Sequence, residues 1–359
     1  MGQGSRHVAV ANILDPRTVE PDTLAYLSAR QLTLQNSCDK GRYVRVFHGG
    51  GLDAAISRRG GHREDWIDLS TGINPRVWPV PTLSPECFSN LPDRDDSDRL
   101  IEAARRHWGF PRQSDVVPAP GVSSLIARLP FIKPPGTVTI RRPTYGEYAF
   151  AFTCTRRTCR ENGNIQIIVH PNNLGGLLSD CETILAKHRH LTIIDESFCD
   201  TGPELSHAGL SSHDGIVVHK GIGKLWGLAV VRLGFAAWPR PLADRIRKLL
   251  GPWPVSGPAV QIGLGSLSNE DWIIVSGERL RRDASRLDSF LSHHGFQPAD
   301  GIDPFRLYCI PNASAVHRSL ARRRILVRTF DHSCTWIWFG FPKTEEEWTR
   351  LEEAVECLI

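Results

Sequence analysis

HKGIGKLWGLAVVRLGF, residues 219–235, is the stretch whose reading decides the fold. An apolar run, GIVVHKG (215–221), leads into it and a second, RLGFAAW (232–238), leaves it. Both read as strands, joined by a glycine-bearing turn that holds Lys224. Upstream, TVTIRRP (137–143), IQIIVHP (165–171) and HLTIID (190–195) are further strand-like runs separated by amphipathic stretches. DSDRLIEAARRHWG (96–109) has helical spacing behind an aspartate cap and stops at Gly109. Strands that alternate with helices from about residue 96 to 250 predict an α/β fold, a mostly parallel sheet flanked by helices. In such sheets the ligand-binding loops follow the strand ends.

After GPWPVSGP (251–258), a Pro/Gly-rich hinge, the pattern changes. One long helix ending near Gly295 is expected, then a strand at FRLYCI (305–310), a helix around 313–323 and a strand at WIWFGF (336–341). Thr344 and Glu347 stand in capping-box spacing at the head of a last helix, 344–358. The expected division is a large domain over 76–251, a smaller α+β domain built from 43–75 and 252–359, and an extension over 1–42 without a readable motif.

Three segments follow one another within residues 170–235: HPNNLGG (170–176), IIDESF (193–198) and the opening stretch. Singly they are bland, since an Asp-Glu pair after a strand is ordinarily a turn and a lysine in a glycine-rich loop is ordinarily solvated. In this order they resemble the Asn-Pro-x-Gly-like loop, the Asp-Glu-x-aromatic strand end and the Ser-x-x-Lys…Arg-x-Gly segment of fold type I pyridoxal-5'-phosphate (PLP) enzymes. The resemblance implies a role for each residue. Asp195 would keep the cofactor's ring nitrogen protonated, which the ring needs to act as an electron sink. Lys224 would carry the cofactor and move protons at the substrate's α-carbon, which asks for a desolvated amine. Arg232 and the turn at Gly121, Val122, Ser123 and Ser124 would hold the cofactor phosphate. Gly221 lets the backbone approach closely, Asn173 would donate to the ring's 3'-oxygen, and Tyr145, in RRPTYGEY (141–148), would stack on the ring. Trp226 reads as packing.

HGGGLDAAI (48–56), WIDLSTGINP (66–75) and GPWPVSGPA (251–259) narrow the resemblance, from about residue 47 onward, to the threonine-phosphate decarboxylases of cobalamin biosynthesis. This implies conversion of L-threonine O-3-phosphate to (R)-1-amino-2-propanol O-2-phosphate and CO2. His48, Gly49, Asn74 and Asn173 would then line the substrate site, and Arg328, in ILVRTF (325–330), would hold an anionic group of the substrate. A homodimer is implied by that fold's habit of building its site at a subunit boundary. Histidinol-phosphate aminotransferases are the obvious confounder, and Leu91 stands where they carry a tyrosine exchanged between subunits.

Two departures weigh on activity. Gly221 replaces the serine three residues before the lysine, removing one hydroxyl donor to the cofactor phosphate. Trp338 replaces a second substrate-binding arginine, and an indole cannot stand in for a bidentate guanidinium. Phe198, where aminotransferases commonly have tyrosine, fits the decarboxylase branch. Three readings stay open from residues alone: decarboxylation, transamination of a phosphorylated amine, and a degenerate PLP-fold protein of little activity.

Composition excludes other classes. Apolar residues make up 41% and charged residues 23%, without an apolar run of about twenty, so a soluble chain with no membrane partner is expected. The net charge of +4 is spread in short clusters such as Arg322-Arg323-Arg324, which reads as a solvated helix face rather than a nucleic-acid surface. Nine cysteines include no Cys-x-x-Cys, and Cys154 with Cys159 lacks a second ligand pair, so no metal site is expected and the thiols read as free. MGQGSRHVAVANILDPR has no signal-peptide pattern, and a cytoplasmic location is expected.

Overall fold

The computed structural model describes residues 49–132 and 136–358. Val46–Ile359 form one compact unit; a second unit, Met1–Arg45, contains the extension expected over residues 1–42, which lies outside the described residues. The first strand is β1 (Ile67–Asp68). The large sheet contains β2 (Ser114–Ala119), β3 (Val138–Ile140), β4 (Ile165–Val169), β5 (Leu191–Asp195), β6 (Ile216–Gly221) and β7 (Gly234–Pro239), in the order β2-β7-β6-β5-β4-β3. Strands β3 to β6 pair in parallel, and β7 runs antiparallel between β6 and β2.

Period-two alternation sends neighbouring residues into two different cores. Ile194, Ile216, Val218, Phe235 and Ala237 face one core, shared with α1 (Arg94–Trp108). Ile193, Val217 and Ala236 face the other, shared with α2 (Val122–Arg128) and α3 (Gly146–Cys154). With both faces covered, every residue of β5 and β6 is buried, so these strands read as near-continuous apolar runs. Strand β2 escapes the sequence pattern because Pro118 argues against a strand; the proline is tolerated because β2 is an edge, where one row of N–H groups is not needed. Helix α1 begins two residues before the expected start, where the Asp93 carboxylate accepts the Asp96 N–H at 3.1 Å, and ends on Gly109 at φ 66°.

The single long helix expected after the hinge is two helices, α4 (Gly257–Leu267) and α5 (Glu270–His293). Between them Asn269 turns its side chain onto the Trp272 N–H at 3.1 Å and caps α5 afresh. A second sheet holds β8 (Gln297–Ile302), β9 (Phe305–Cys309), β11 (Arg328–Phe330) and β12 (Ser333–Phe339), all antiparallel, in the order β11-β12-β9-β8. Strand β10 (Ile325–Leu326) pairs in parallel with β1 and ties the 66–75 segment to the C-terminal third. Helix α6 (Ala313–Arg322) precedes β10, and α7 (Glu345–Glu356) closes the chain. The capping box at α7 is half formed. Thr344 accepts the Glu347 N–H at 3.3 Å, but the Glu347 carboxylate takes the N–H of Lys343 at 2.6 Å, one residue outside the box.

Beneath the sheet's carboxyl edge, the buried Lys220 ammonium lies 2.9 Å from Glu196 and 3.6 Å from Asp200. Burial alone would lower the pKa of Lys220, yet the two carboxylates outweigh it and hold the amine above its ordinary value. Trp108 donates to Asp200 at 2.8 Å, linking α1 to the same group. Removing the cation leaves two buried carboxylates facing each other. Lys220→Met is therefore expected to destabilise the protein by about 3–5 kcal/mol, as read by urea unfolding; a loss below about 1 kcal/mol would show that the charges are solvated rather than paired.

Candidate active site

The candidate site gathers at the carboxyl ends of β5 and β6. Asp195 is the last residue of β5, in register with His219 of β6, and Lys224 stands three residues beyond the end of β6. Ser197 donates its N–H at 3.0 Å and its hydroxyl at 2.6 Å to one carboxylate oxygen of Asp195. The hydroxyl of Tyr148, from α3, donates to the other at 2.8 Å and lies 3.3 Å from His219 Nδ1. Burial holds the Tyr148 phenol well above its usual pKa, with Asp195 acting the same way. Burial also brings His219 down to about 4 against the pull of Asp195, so the imidazole is neutral near pH 7. Sequence reasoning missed Tyr148 and His219. Both lie inside quoted segments, but only their neighbours carry the recognised pattern.

Burial depresses the Lys224 amine to about 8; the Arg328 and Arg232 guanidinia add to the effect and Asp195 opposes it. Its Nζ sits 4.6 Å from the centre of the Phe198 ring. Near it, Tyr145 is pushed up to about 12, first by burial, then by Glu147 and Asp195, against Arg232 and Arg328. Asn173 is buried, and its Oδ1 has no partner among the described residues. The amide's two ends are interchangeable by a half-turn, so this position can offer a donor or an acceptor.

Arg232, at φ 54°, donates through Nη2 to the Ser123 hydroxyl at 2.7 Å. Val122 and Ser123 open α2 beside this guanidinium. Glycines keep the space clear: a Cβ at Gly121 would meet Arg232 Nη2 at 2.5 Å, and one at Gly234 would meet the Val122 nitrogen at 2.6 Å. At Gly221 a Cβ would lie 3.3 Å from the Val122 side chain, so a serine there would require Val122 to yield.

Arg328 lies partly buried with its guanidinium 5.0 Å over the Phe330 ring, and burial lowers its pKa. Its guanidinium forms no ion pair or hydrogen bond among the described residues. Gly49 backs onto the Ser70 carbonyl, where a Cβ would stand 1.9 Å from the oxygen. Asn74 lies behind the Lys224 turn with its amide engaged by protein: Nδ2 donates to the Leu225 carbonyl at 2.7 Å, and Oδ1 accepts from Arg76 N–H at 3.0 Å and Arg279 at 2.9 Å. His48 lies outside the described residues. His170, Glu196 and Cys199 cluster at metal-ligand spacing, but both His170 nitrogens are occupied by Leu205 and Ser179, and Glu196 by Lys220, Ser206 and His207.

Residues 168–352, which include Asn173, Asp195, Lys224, Arg232 and Arg328, match the family described as aminotransferase class I and II. The chain belongs to that family. Within it, the chain is 34% identical over 325 residues to the threonine-phosphate decarboxylase of Pseudomonas aeruginosa, covering 86% of this chain and 96% of that protein. It is 36% identical over 330 residues to the threonine-phosphate decarboxylase of a Sinorhizobium species, covering 86% and 97%. Among solved structures, histidinol-phosphate aminotransferase from Sinorhizobium meliloti, determined in complex with pyridoxal-5'-phosphate, superposes with a TM-score of 0.75. That match covers 90% of this chain and 98% of the other at 16% identity, which establishes the shared fold.

Of the two departures expected from the sequence, Trp338 is the one whose surroundings the structure explains best. It pairs across the strands with Arg328, stacks on Phe305 at 4.7 Å and 27°, and is buried with Leu174, Phe198 and Leu307. A guanidinium in its place would lose the stacked surface and sit unpaired opposite the Arg328 charge. Trp338→Arg is expected to lower stability by about 3–5 kcal/mol without raising kcat/KM. A stable variant with a tenfold gain on a phosphorylated substrate would show instead that the indole blocks a cation site.

Proposed function

We propose that the chain is a PLP-dependent decarboxylase converting L-threonine O-3-phosphate to (R)-1-amino-2-propanol O-2-phosphate and CO2, a step of cobalamin biosynthesis. The observation that carries the reading is the unpaired, partly buried guanidinium of Arg328 beside the depressed amine of Lys224. It puts a holder of anions next to a group able to move protons near neutral pH. The near-full-length likeness to two threonine-phosphate decarboxylases supports the choice of substrate.

The residues present fit the cofactor. Asn173 offers a buried amide with a free end, Gly121 and Gly234 keep a cradle open beside Arg232, and a fixed carboxylate ends the central strand. When bound, PLP supplies a ring that takes up the electron pair of the bond broken at the substrate's α-carbon. In this reading Asp195 holds a proton at the ring nitrogen, kept in place by Tyr148 and Ser197. Arg232, Ser123 and the start of α2 at Val122 grip the phosphate, Gly221 leaves room for it, Tyr145 lies against the ring, and Asn173 meets its 3'-oxygen. Arg328 anchors the anionic end of the substrate, with His48 and Gly49 on the side of the N-terminal segment. For CO2 to leave, the Cα–carboxylate bond would have to stand perpendicular to the ring, whereas transamination needs the Cα–H bond there. Lys224 then returns a proton to the α-carbon.

The proposal includes two lobes, 76–251 and 43–75 with 252–359, a homodimer and a cytoplasmic location. Exposed apolar side chains, among them Val77, Phe88, Leu91, Val230 and Trp253, support association with a second copy. No helix among the described residues is long and apolar enough to cross a membrane.

Supplying the purified protein with PLP and O-phosphothreonine tests the reading. Released CO2 should match the phosphorylated amino alcohol formed, with no amine transfer to added keto acids. Amine transfer without CO2 would overturn decarboxylation in favour of an aminotransferase, and inertness with PLP bound would overturn both.

A further inference from the structure

The turn that carries Lys224 is held from behind by a short relay. The Asn74 N–H donates to the Lys224 carbonyl at 3.0 Å and its Nδ2 to the Leu225 carbonyl at 2.7 Å. Two residues on, the Trp78 N–H donates to the Trp226 carbonyl at 2.9 Å. Gly227, at φ 70°, lies so near that a Cβ would stand 2.8 Å from the Asn74 carbonyl oxygen. What orients the Asn74 amide is its other end, where Oδ1 accepts from the Arg76 N–H at 3.0 Å and from Arg279 Nη2, on α5, at 2.9 Å. Turned by a half-rotation, the amide would set its NH2 against two donors and its oxygen against the Leu225 carbonyl.

Arg279 makes this contact under constraint. Its side chain is partly buried, its Nε has no partner, and no carboxylate forms an ion pair with it among the described residues. Burial lowers its pKa, with Arg76 and Arg282 adding and Asp283 opposing. A guanidinium placed for stability alone would be expected to meet a carboxylate; this one serves an amide oxygen one residue removed from the lysine turn.

We propose that Arg279 is a positioning residue, fixing through Asn74 the main chain at Lys224 and Leu225 so that the Lys224 amine is held at the reacting atoms. The proposal rests on the reading of Lys224 as the reactive lysine. A lysine side chain is long and rotatable, so its anchor is what sets the reach of the amine, and a displacement of about 1 Å can lower a rate about a hundredfold. The charged groups facing the amine are Arg328 from β11, Asp195 from β5 and Arg232 from the segment before β7. Arg279 is not one of them, so its removal reaches Lys224 through the chain.

The test uses the full chain with wild-type Arg279, Arg279→Met and Arg279→Lys. Wild-type protein loaded with PLP, reduced with borohydride and mapped by peptide should carry the pyridoxyl group on Lys224. The pH midpoint for acetylation of Lys224 is then measured in cofactor-free protein, together with kcat, KM and urea unfolding of each variant. In Arg279→Met the turn relaxes toward water, so the midpoint should rise from about 8 by about one pH unit toward the ordinary lysine value. kcat should fall about 10- to 100-fold with KM changed less than about threefold, and Arg279→Lys should recover most of both. A label on Lys224 with an unmoved midpoint and kcat, or a loss of stability alone, overturns the positioning role and leaves the proposed function standing. A label on another lysine overturns both. Should Arg279→Met fail to fold, Arg279→Gln, with a shorter donor, is held to the same outcomes.

Discussion

The pairing of β5 with β6 is the constraint on which the rest of the structure depends. It sets Asp195 opposite His219 at the carboxyl edge of a sheet buried on both faces, and carries the chain on toward Lys224. A carboxylate in that place is tolerated only because Ser197 and Tyr148 donate to both of its oxygens. The same burial keeps His219 neutral, so the imidazole adds no cation to compete for Asp195. One residue further along β6, Lys220 points into the Glu196–Asp200 pair rather than the site. The alternation of a strand thus sorts adjacent polar residues into two separate networks, one beside the site and one below it.

Desolvation pushes both cations of the site in the same direction, with different outcomes. Lys224 loses affinity for its proton on burial and gains an available free amine near neutral pH. Arg328 is pushed in the same direction, but a guanidinium starts so high that it stays charged. The two repel each other, visible in the effect of Arg328 on Lys224, so under the proposed function anion holding and amine reactivity would be linked. An anion bound at Arg328 would offset part of that repulsion.

Much of the fold was legible because burial on two faces writes itself as apolar runs, and IVVHKG and LTIID needed no tertiary information to be read as strands. SDVVPA was hidden because a proline is tolerated at an edge that only the sheet order reveals. The break before α5 was hidden because Asn269 caps only once the chain has already turned. Asp195, Lys224, Arg232 and Asn173, the residues proposed to hold the cofactor, could be picked out through their order. Tyr148, His219 and Arg279 were not, since each acts across 47 to 205 residues of sequence or, for His219, through a strand register that no local pattern encodes. Asn74 shows the same limit from the other side: an asparagine assigned to substrate spends most of its hydrogen-bonding capacity on the lysine turn.

Strand register also explains why a tryptophan can stand opposite Arg328. In an antiparallel pair directly facing side chains lie on one face of the sheet, and two like charges there repel. Two guanidinia could share that face only with an anion between them, so such a wall would be strained whenever the site is empty. The indole removes the strain and stacks on Phe305, which in turn meets Phe198, the ring beside Lys224. The consequence is a wall with one cation and a continuous aromatic surface. Under the proposed function, discrimination at that wall would depend on the shape of the group set against the rings more than on a second charged fork.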